Sequence, residues 1–118
     1  MEKEEKLEKI KRLDKQEKDL LDDANEFRIK GKFSETFTEY EFRVIEREST
    51  DKYDFLSKKI NGLTDIEGMI NRFKVDVIDM CKKTLNIDEN NRTVYEKCLN
   101  AFIELYSIKF KRDYLKLK

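Results

Sequence analysis

The chain has 118 residues, and its 26 Lys and Arg side chains are balanced by 26 Asp and Glu side chains, so the formal net charge is zero. General nucleic-acid binding needs a surplus of Lys and Arg to displace counterions from phosphates, and this composition lacks one. The sequence also contains no His, which removes the usual general base near neutral pH and the commonest zinc ligand. We therefore expect one small, non-catalytic unit whose partner is a protein.

Sequence motifs for catalysis, cofactors and metals are missing. The Gly residues stand apart, so they form no phosphate-binding loop. A calcium loop over residues 88–99 would need Gly at its sixth position and Glu at its twelfth, where the sequence has Thr93 and Leu99. Cys81 and Cys98 have no Cys-x-x-Cys spacing, so we expect two buried thiols rather than a zinc site or a disulfide. We accordingly predict no catalytic residue, no cofactor and no metal. Without a long apolar run or a secretory signal, the chain is expected to be cytoplasmic.

The first helix carries a narrow apolar stripe. The sequence has no Pro to interrupt a helix and is rich in Glu, Lys and Leu, which favours an all-α fold. On residues 1–30 the apolar side chains recur at near-heptad spacing among charged ones: Leu7, Ile10, Leu13, Leu20, Leu21, Ala24 and Phe27. So thin a stripe suits one partner helix better than a many-sided core. We therefore predict a long, mostly continuous helix over residues 1–60 that forms a coiled coil with a partner helix.

Residues 32–48 fit two patterns. Polar and apolar residues alternate over 36–44 as in a strand, which would indicate a ribbon-helix-helix DNA-binding protein. We favour a helix, because the larger apolar side chains of this segment also recur at helical steps: Phe33, Phe37, Tyr40 and Val44. The apolar repeat slips just before this segment, so we expect a bend at Gly31.

Shorter helices are expected after breaks near residues 61–64 and 86–92, where Asn, Gly and Asp favour turns. Capping-box spacing at Thr64-x-x-Glu67 and Thr93-x-x-Glu96 predicts helix starts there. The segment 65–118 is expected to pack on the partner through Phe73, Val77, Cys98, Leu99, Phe102, Ile103 and Leu105. The basic residues after Ile108 either complement the helix dipole or contact an acidic partner surface.

The stripe of the first helix resembles a known family. The matching positions are Leu7-x-x-Ile10-x-x-Leu13-Asp14-Lys15, then Leu20-Leu21-x-x-Ala24-x-x-Phe27-Arg28. They resemble the opening of the vacuolar-type (V-type) ATPase G subunit, which has Glu-Lys, Ile-Val and aromatic-Arg steps at the corresponding places. The resemblance covers residues 7–28. Segment 31–37 is aromatic and poor in Ala, whereas the family continues with an Ala- and Lys-rich helix, so only the general layout carries on.

The resemblance implies a structural function. Members of this family are non-catalytic parts of the peripheral stalk, or stator, of a rotary proton pump, where they pair with the E subunit, linking the ATP-hydrolysing head to the membrane sector. For this chain it implies a hetero-oligomer with a helix like that of the E subunit, and with head and collar subunits, on the cytosolic face of an acidified organelle membrane without insertion into it. The alternative is a self-contained helical bundle, an adaptor or regulatory protein that acts by binding other proteins.

Overall fold

The computed structural model describes residues 2–29 and 37–117. These residues form α1 (Glu2–Ile29), α2 (Glu39–Ser57), α3 (Ile66–Leu85) and α4 (Arg92–Leu117). No strand occurs in the described ranges, which confirms the all-α prediction. The radius of gyration is 15.5 Å, close to the value of about 13.5 Å that a compact chain of this length has.

The N-terminus of α2 is fixed by a capping box. The Thr38 hydroxyl accepts a hydrogen bond from the backbone N–H of Glu41, whose carboxylate accepts one from the backbone N–H of Thr38. These bonds satisfy two N–H groups that have no partner within the helix. The alternating residues from Glu39 onward are therefore helical, and Phe42 and Ile45 are buried on one face.

Two predicted capping boxes differ from the observed helix starts. Asp65, not Thr64, caps α3, and its carboxylate accepts the backbone N–H of Glu67. A charged carboxylate interacts more favourably than a hydroxyl with the positive end of the helix dipole, which gives a reason for the one-residue shift. Thr93 lies inside α4, which begins at Arg92 after the Asp88 carboxylate accepts two backbone N–H groups of the preceding turn.

The helices run up and down in sequence order. α2 and α4 are parallel, because Phe42 packs on Phe102 while Tyr53 packs on Phe110. α3 runs antiparallel to both: Phe73 contacts Phe110 whereas Ile78 lies beside Leu99, and Asp76 pairs with Lys52 whereas Met80 lies beside Glu48. α1 is antiparallel to α4, since its middle lies beside Arg112 and its end beside Lys97. The arrangement is that of an up-down-up-down bundle.

The core lies between α2, α3 and α4. Phe73 contacts the rings of Tyr106 and Phe110 at centroid distances of 5.8 and 5.4 Å. The predicted C-terminal packing residues are buried, except Leu99, which is partly buried: Phe73, Val77, Cys98, Leu99, Phe102, Ile103 and Leu105. Each large apolar side chain buried in this way contributes about 1.5–3 kcal/mol. These side chains form a core within the chain, and the packing of segment 65–118 on a partner stays a prediction.

The structure differs from the predicted continuous helix over 1–60. α1 and α2 are separate helices of opposite direction, and α1 lies on α4 of the same chain. Because α4 belongs to the same chain as α1, it covers the apolar stripe of α1 without the entropy loss of bringing two molecules together. The expected bend at Gly31 lies outside the described residues, and the division of the chain into parts 1–60 and 65–118 stays a prediction.

Candidate functional site

The predicted partner seam of α1 is split in the structure. Ala24 is fully buried, and Leu20 and Phe27 are partly buried against the core. Ile10 and Leu13 are also partly exposed. Leu7 and Leu21, in contrast, expose 53% and 45% of their surface. The structure therefore packs Leu20, Ala24 and Phe27 of the seam against the core and leaves Leu7 and Leu21 at the surface.

Arg112 joins α1 to α4. Its guanidinium donates to the carboxylate of Asp14 at 3.3 Å, contacts that of Glu17, and pairs with the neighbouring Asp113 at 3.1 Å. Asp113 in turn accepts a hydrogen bond from the Tyr53 hydroxyl of α2. We call these residues (Asp14, Glu17, Tyr53, Arg112 and Asp113) the Arg112 clamp. An acidic surface does meet this residue of the basic tail, and it belongs to α1 of the same chain.

The phenols of Tyr53 in the clamp and of Tyr106 beside it are neutral at pH 7. The pKa of Tyr53 is raised, most by burial and next by the hydrogen bond to Asp113, because both disfavour the phenolate. Burial also raises the pKa of Tyr106, although its 2.7 Å hydrogen bond with the Thr50 hydroxyl acts in the opposite direction. At neutral pH these groups therefore serve as hydrogen-bonding links between α2 and α4.

A groove runs along the outer face of α4. α1 and α3 lie on either side of it, and no Cα atom of one described helix comes within 8 Å of a Cα atom of the other. The largest part of the groove has a volume of about 580 Å³ and is lined by all three helices. Its apolar lining consists of Leu20, Ile70, Ile103 and Ile108, and its polar lining of Gln16, Asp19, Asn71, Lys74, Glu104, Ser107 and Lys111.

The groove continues towards the start of α4. A neighbouring depression shares Leu20 and Glu104 with it and adds Asp23, Glu26, Phe27, Lys97, Asn100 and Ala101. We call the whole surface the α4 groove. Its α1 wall carries carboxylates, whereas its α3 wall carries Lys74. Within residues 2–29 and 37–117, Asp19, Asp23, Lys74 and Lys111 form no ion pair. The groove thus has apolar sides and charges available to a ligand.

Buried polar groups elsewhere are few in the described part of the chain. Cys81 and Cys98 are free and buried, as predicted, and burial raises the pKa of each thiol to about 12. Ser49 is fully buried, and its hydroxyl has no hydrogen-bond partner among the described residues. No cluster of three or more His, Cys, Asp or Glu side chains within 2–29 and 37–117 is arranged to hold a metal ion.

Sequence reasoning did not find the α4 groove. Its floor was visible as a polar stripe at helical spacing on the last helix: Lys97, Asn100, Glu104, Ser107 and Lys111. That stripe does not indicate which helices flank it. The capping box of α2, in contrast, was readable from Thr38-x-x-Glu41.

Comparisons with protein-family models, with curated proteins and with solved structures give no match for this chain. None of the helices described is both long and apolar enough to span a membrane.

Proposed function

We propose that the protein is a non-catalytic helical bundle that acts as an adaptor or regulatory protein by binding another protein. The observation that carries this proposal is the α4 groove, whose apolar lining includes the partly exposed Leu20 and Ile108 and whose walls carry Asp19, Asp23 and Lys74, which form no ion pair within residues 2–29 and 37–117. Grooves between helices commonly receive an amphipathic segment of a partner.

The energetics of the bundle support binding without unfolding. The core between α2, α3 and α4 is complete without a partner, because its large aromatic side chains are buried within the chain. A partner can therefore dock on a surface that already exists, and it avoids the entropy cost of ordering a disordered segment. Docking on such a preformed surface requires little movement of the backbone.

The test is direct binding by a protein from the source cell. The tagged chain is cross-linked in the cell, the cross-linked protein is identified by mass spectrometry, and its binding to the purified chain is measured by calorimetry. We expect saturable binding with one partner per bundle. Failure of every cross-linked protein to bind the purified chain would contradict the proposed function.

The stator function implied by the resemblance over residues 7–28 is the second candidate. The observation that favours it is the surface position of Leu7 and Leu21 on α1, which a helix of the stalk partner would cover. In the bundle α1 already covers part of α4, so coiled-coil pairing along the whole stripe requires α1 to leave it. Purification of the chain with ATPase head and collar subunits, on the cytosolic face of an acidified organelle, would support this candidate. Purification without them would refute it.

A further inference from the structure

The ligand of the α4 groove can be specified from its shape and charge, and this step rests on the proposed protein-binding function. We infer that the groove binds one amphipathic α-helix of a partner protein, with an apolar stripe flanked by a basic edge and an acidic edge. The basic edge faces α1 and the acidic edge faces α3. The partner is thus defined by the separation of its charges as well as by its apolar side chains.

The dimensions of the groove fit a helix. Its floor extends from Lys97 to Lys111 on α4, a length of about 21 Å at 1.5 Å per residue. A helical segment of about 14 residues, or four turns, spans this distance. Packed helices have axes about 8–10 Å apart. A helix that lies on α4 therefore contacts both α1 and α3 in the part of the groove lined by Lys74, and α1 in the part towards Lys97.

The apolar contacts lie on both sides of the floor. Leu20 and Ile108 line the side next to α1, and Ile70 and Ile103 line the side next to α3. A partner helix reaches both sides with apolar residues at positions i, i+3, i+4 and i+7. The Ser107 hydroxyl on the floor already donates a hydrogen bond to the backbone oxygen of Ile103 at 2.7 Å, so an apolar stripe can cover it without leaving that donor unsatisfied.

The charges decide which amphipathic helix is preferred. Asp19 and Asp23 lie on the α1 wall and Lys74 on the α3 wall, and none of them forms an ion pair within the described residues. A helix with Lys or Arg along one edge and Asp or Glu along the other places opposite charges against both walls. Such complementarity favours the matched ligand over a helix in which the charges are mixed.

The experiment uses three synthetic peptides of about 16 residues that share one Leu stripe. The polarised peptide has Lys on one edge and Glu on the other, the mixed peptide has the same composition with Lys and Glu alternating on both edges, and the acidic peptide has Glu on both. A helix that docks in the opposite direction presents its edges to the opposite walls, so a peptide with exchanged edges could still match both walls. The mixed peptide, which matches neither wall in either direction, is therefore the control. Fluorescence anisotropy measures binding of each labelled peptide to the full chain.

We expect the polarised peptide to bind the unmodified chain about tenfold more tightly than the mixed peptide. In a variant with Asp19→Lys and Asp23→Lys both walls are basic, so the polarised peptide should lose about tenfold in affinity and the acidic peptide should gain it. The matched control carries Asp79→Lys and Glu89→Lys, which change the net charge equally at exposed positions outside the groove. This control should bind like the unmodified chain.

Equal affinity for the polarised and mixed peptides, no binding of either, or no response to the α1-wall variant would overturn the inference. A dimer of the unmodified chain that dissociates in the α1-wall variant would also overturn the inference, because a second copy of the chain would then occupy the α4 groove. A natural partner that binds both variants equally would refute this use of the groove and leave the protein-binding function standing. The two proposals therefore fail separately.

Discussion

Replacement of Arg112 by Ala should loosen α1 from the bundle. The guanidinium is the cation between the carboxylates of Asp14, Glu17 and Asp113, and the first two belong to α1. Its removal leaves three acidic groups close together without a compensating charge. The apolar part of the contact between α1 and the bundle consists of Ala24, which is fully buried, and of Leu20 and Phe27, which are partly buried against the core.

The size of the effect follows from the exposure of the ion pairs. Removing one partner of a fully buried pair costs about 3–5 kcal/mol, and an exposed pair is worth less than about 1 kcal/mol. The side chain of Arg112 is 15% exposed, those of Glu17 and Asp14 21% and 49%. The pair with Glu17 therefore lies between the two limits, and the pair with Asp14 lies near the lower one. We expect a loss of about 2 kcal/mol in the free energy that holds α1 on α4.

Native-state hydrogen exchange measures this loss directly. A loss of about 2 kcal/mol should increase the exchange rate of amides in α1 roughly thirtyfold, while the amides of α3 change less because the core between α2, α3 and α4 remains. The matched control is Arg92→Ala on the same helix. Its pair with Glu96 is exposed on both sides, so its expected cost is below about 0.5 kcal/mol.

Equal exchange in the Arg112 and Arg92 variants would refute the reasoning, as would a uniform rise across all helices. A double-mutant cycle of Arg112→Ala with Glu17→Ala then isolates the pair itself. The cycle should give a coupling energy of about 1–2 kcal/mol, and a value near zero would assign the effect of Arg112 to packing instead.

Three further predictions concern the interior. Ser49→Ala should stabilise the chain by about 1 kcal/mol in urea unfolding, because it removes a buried hydroxyl without a hydrogen-bond partner in the described residues; destabilisation would reveal a missed bond. Phe73→Ala should destabilise it by about 4 kcal/mol, since this fully buried ring contacts two aromatic rings, and a cost under about 1 kcal/mol would contradict that packing. The pKa of the thiols of Cys81 and Cys98 is raised from 9.0 to about 12 in the fold. The unfolded chain therefore releases these protons first, and stability should fall as pH rises from 9 towards 12, less so in a double Ala variant. Burial also raises the pKa of Tyr53 and Tyr106, so an equal fall with pH in the unmodified chain and the double Ala variant would contradict the assignment to the thiols.

Much of the helix order could be predicted from apolar spacing. Ile70, Phe73 and Val77 recur at steps of three and four, as do Cys98, Phe102 and Leu105, and the structure buries all six. The segment 36–44 was ambiguous because its alternation fits a strand as well. The capping box of Thr38 and Glu41 resolves it, and that signal was present in the sequence.

The partner of α1 could not be predicted from its stripe. A narrow apolar stripe indicates that a second helix packs on it. A helix of another protein and α4 of the same chain would bury the stripe equally well. The contact that favours α4 includes Arg112 and Asp14, which are 98 positions apart in the sequence. The α4 groove is still harder to predict from the sequence than the contact of α1 with α4, because it requires α1 and α3 to lie on either side of one helix.

The central claim is that the helices fold back on one another and present the α4 groove as a finished surface. Small-angle X-ray scattering with light scattering on the purified chain tests it most directly. The bundle predicts a monomer of 14.3 kDa with a radius of gyration near 15.5 Å. A particle with a helical rod over residues 1–60, about 90 Å long at 1.5 Å per residue, would contradict it.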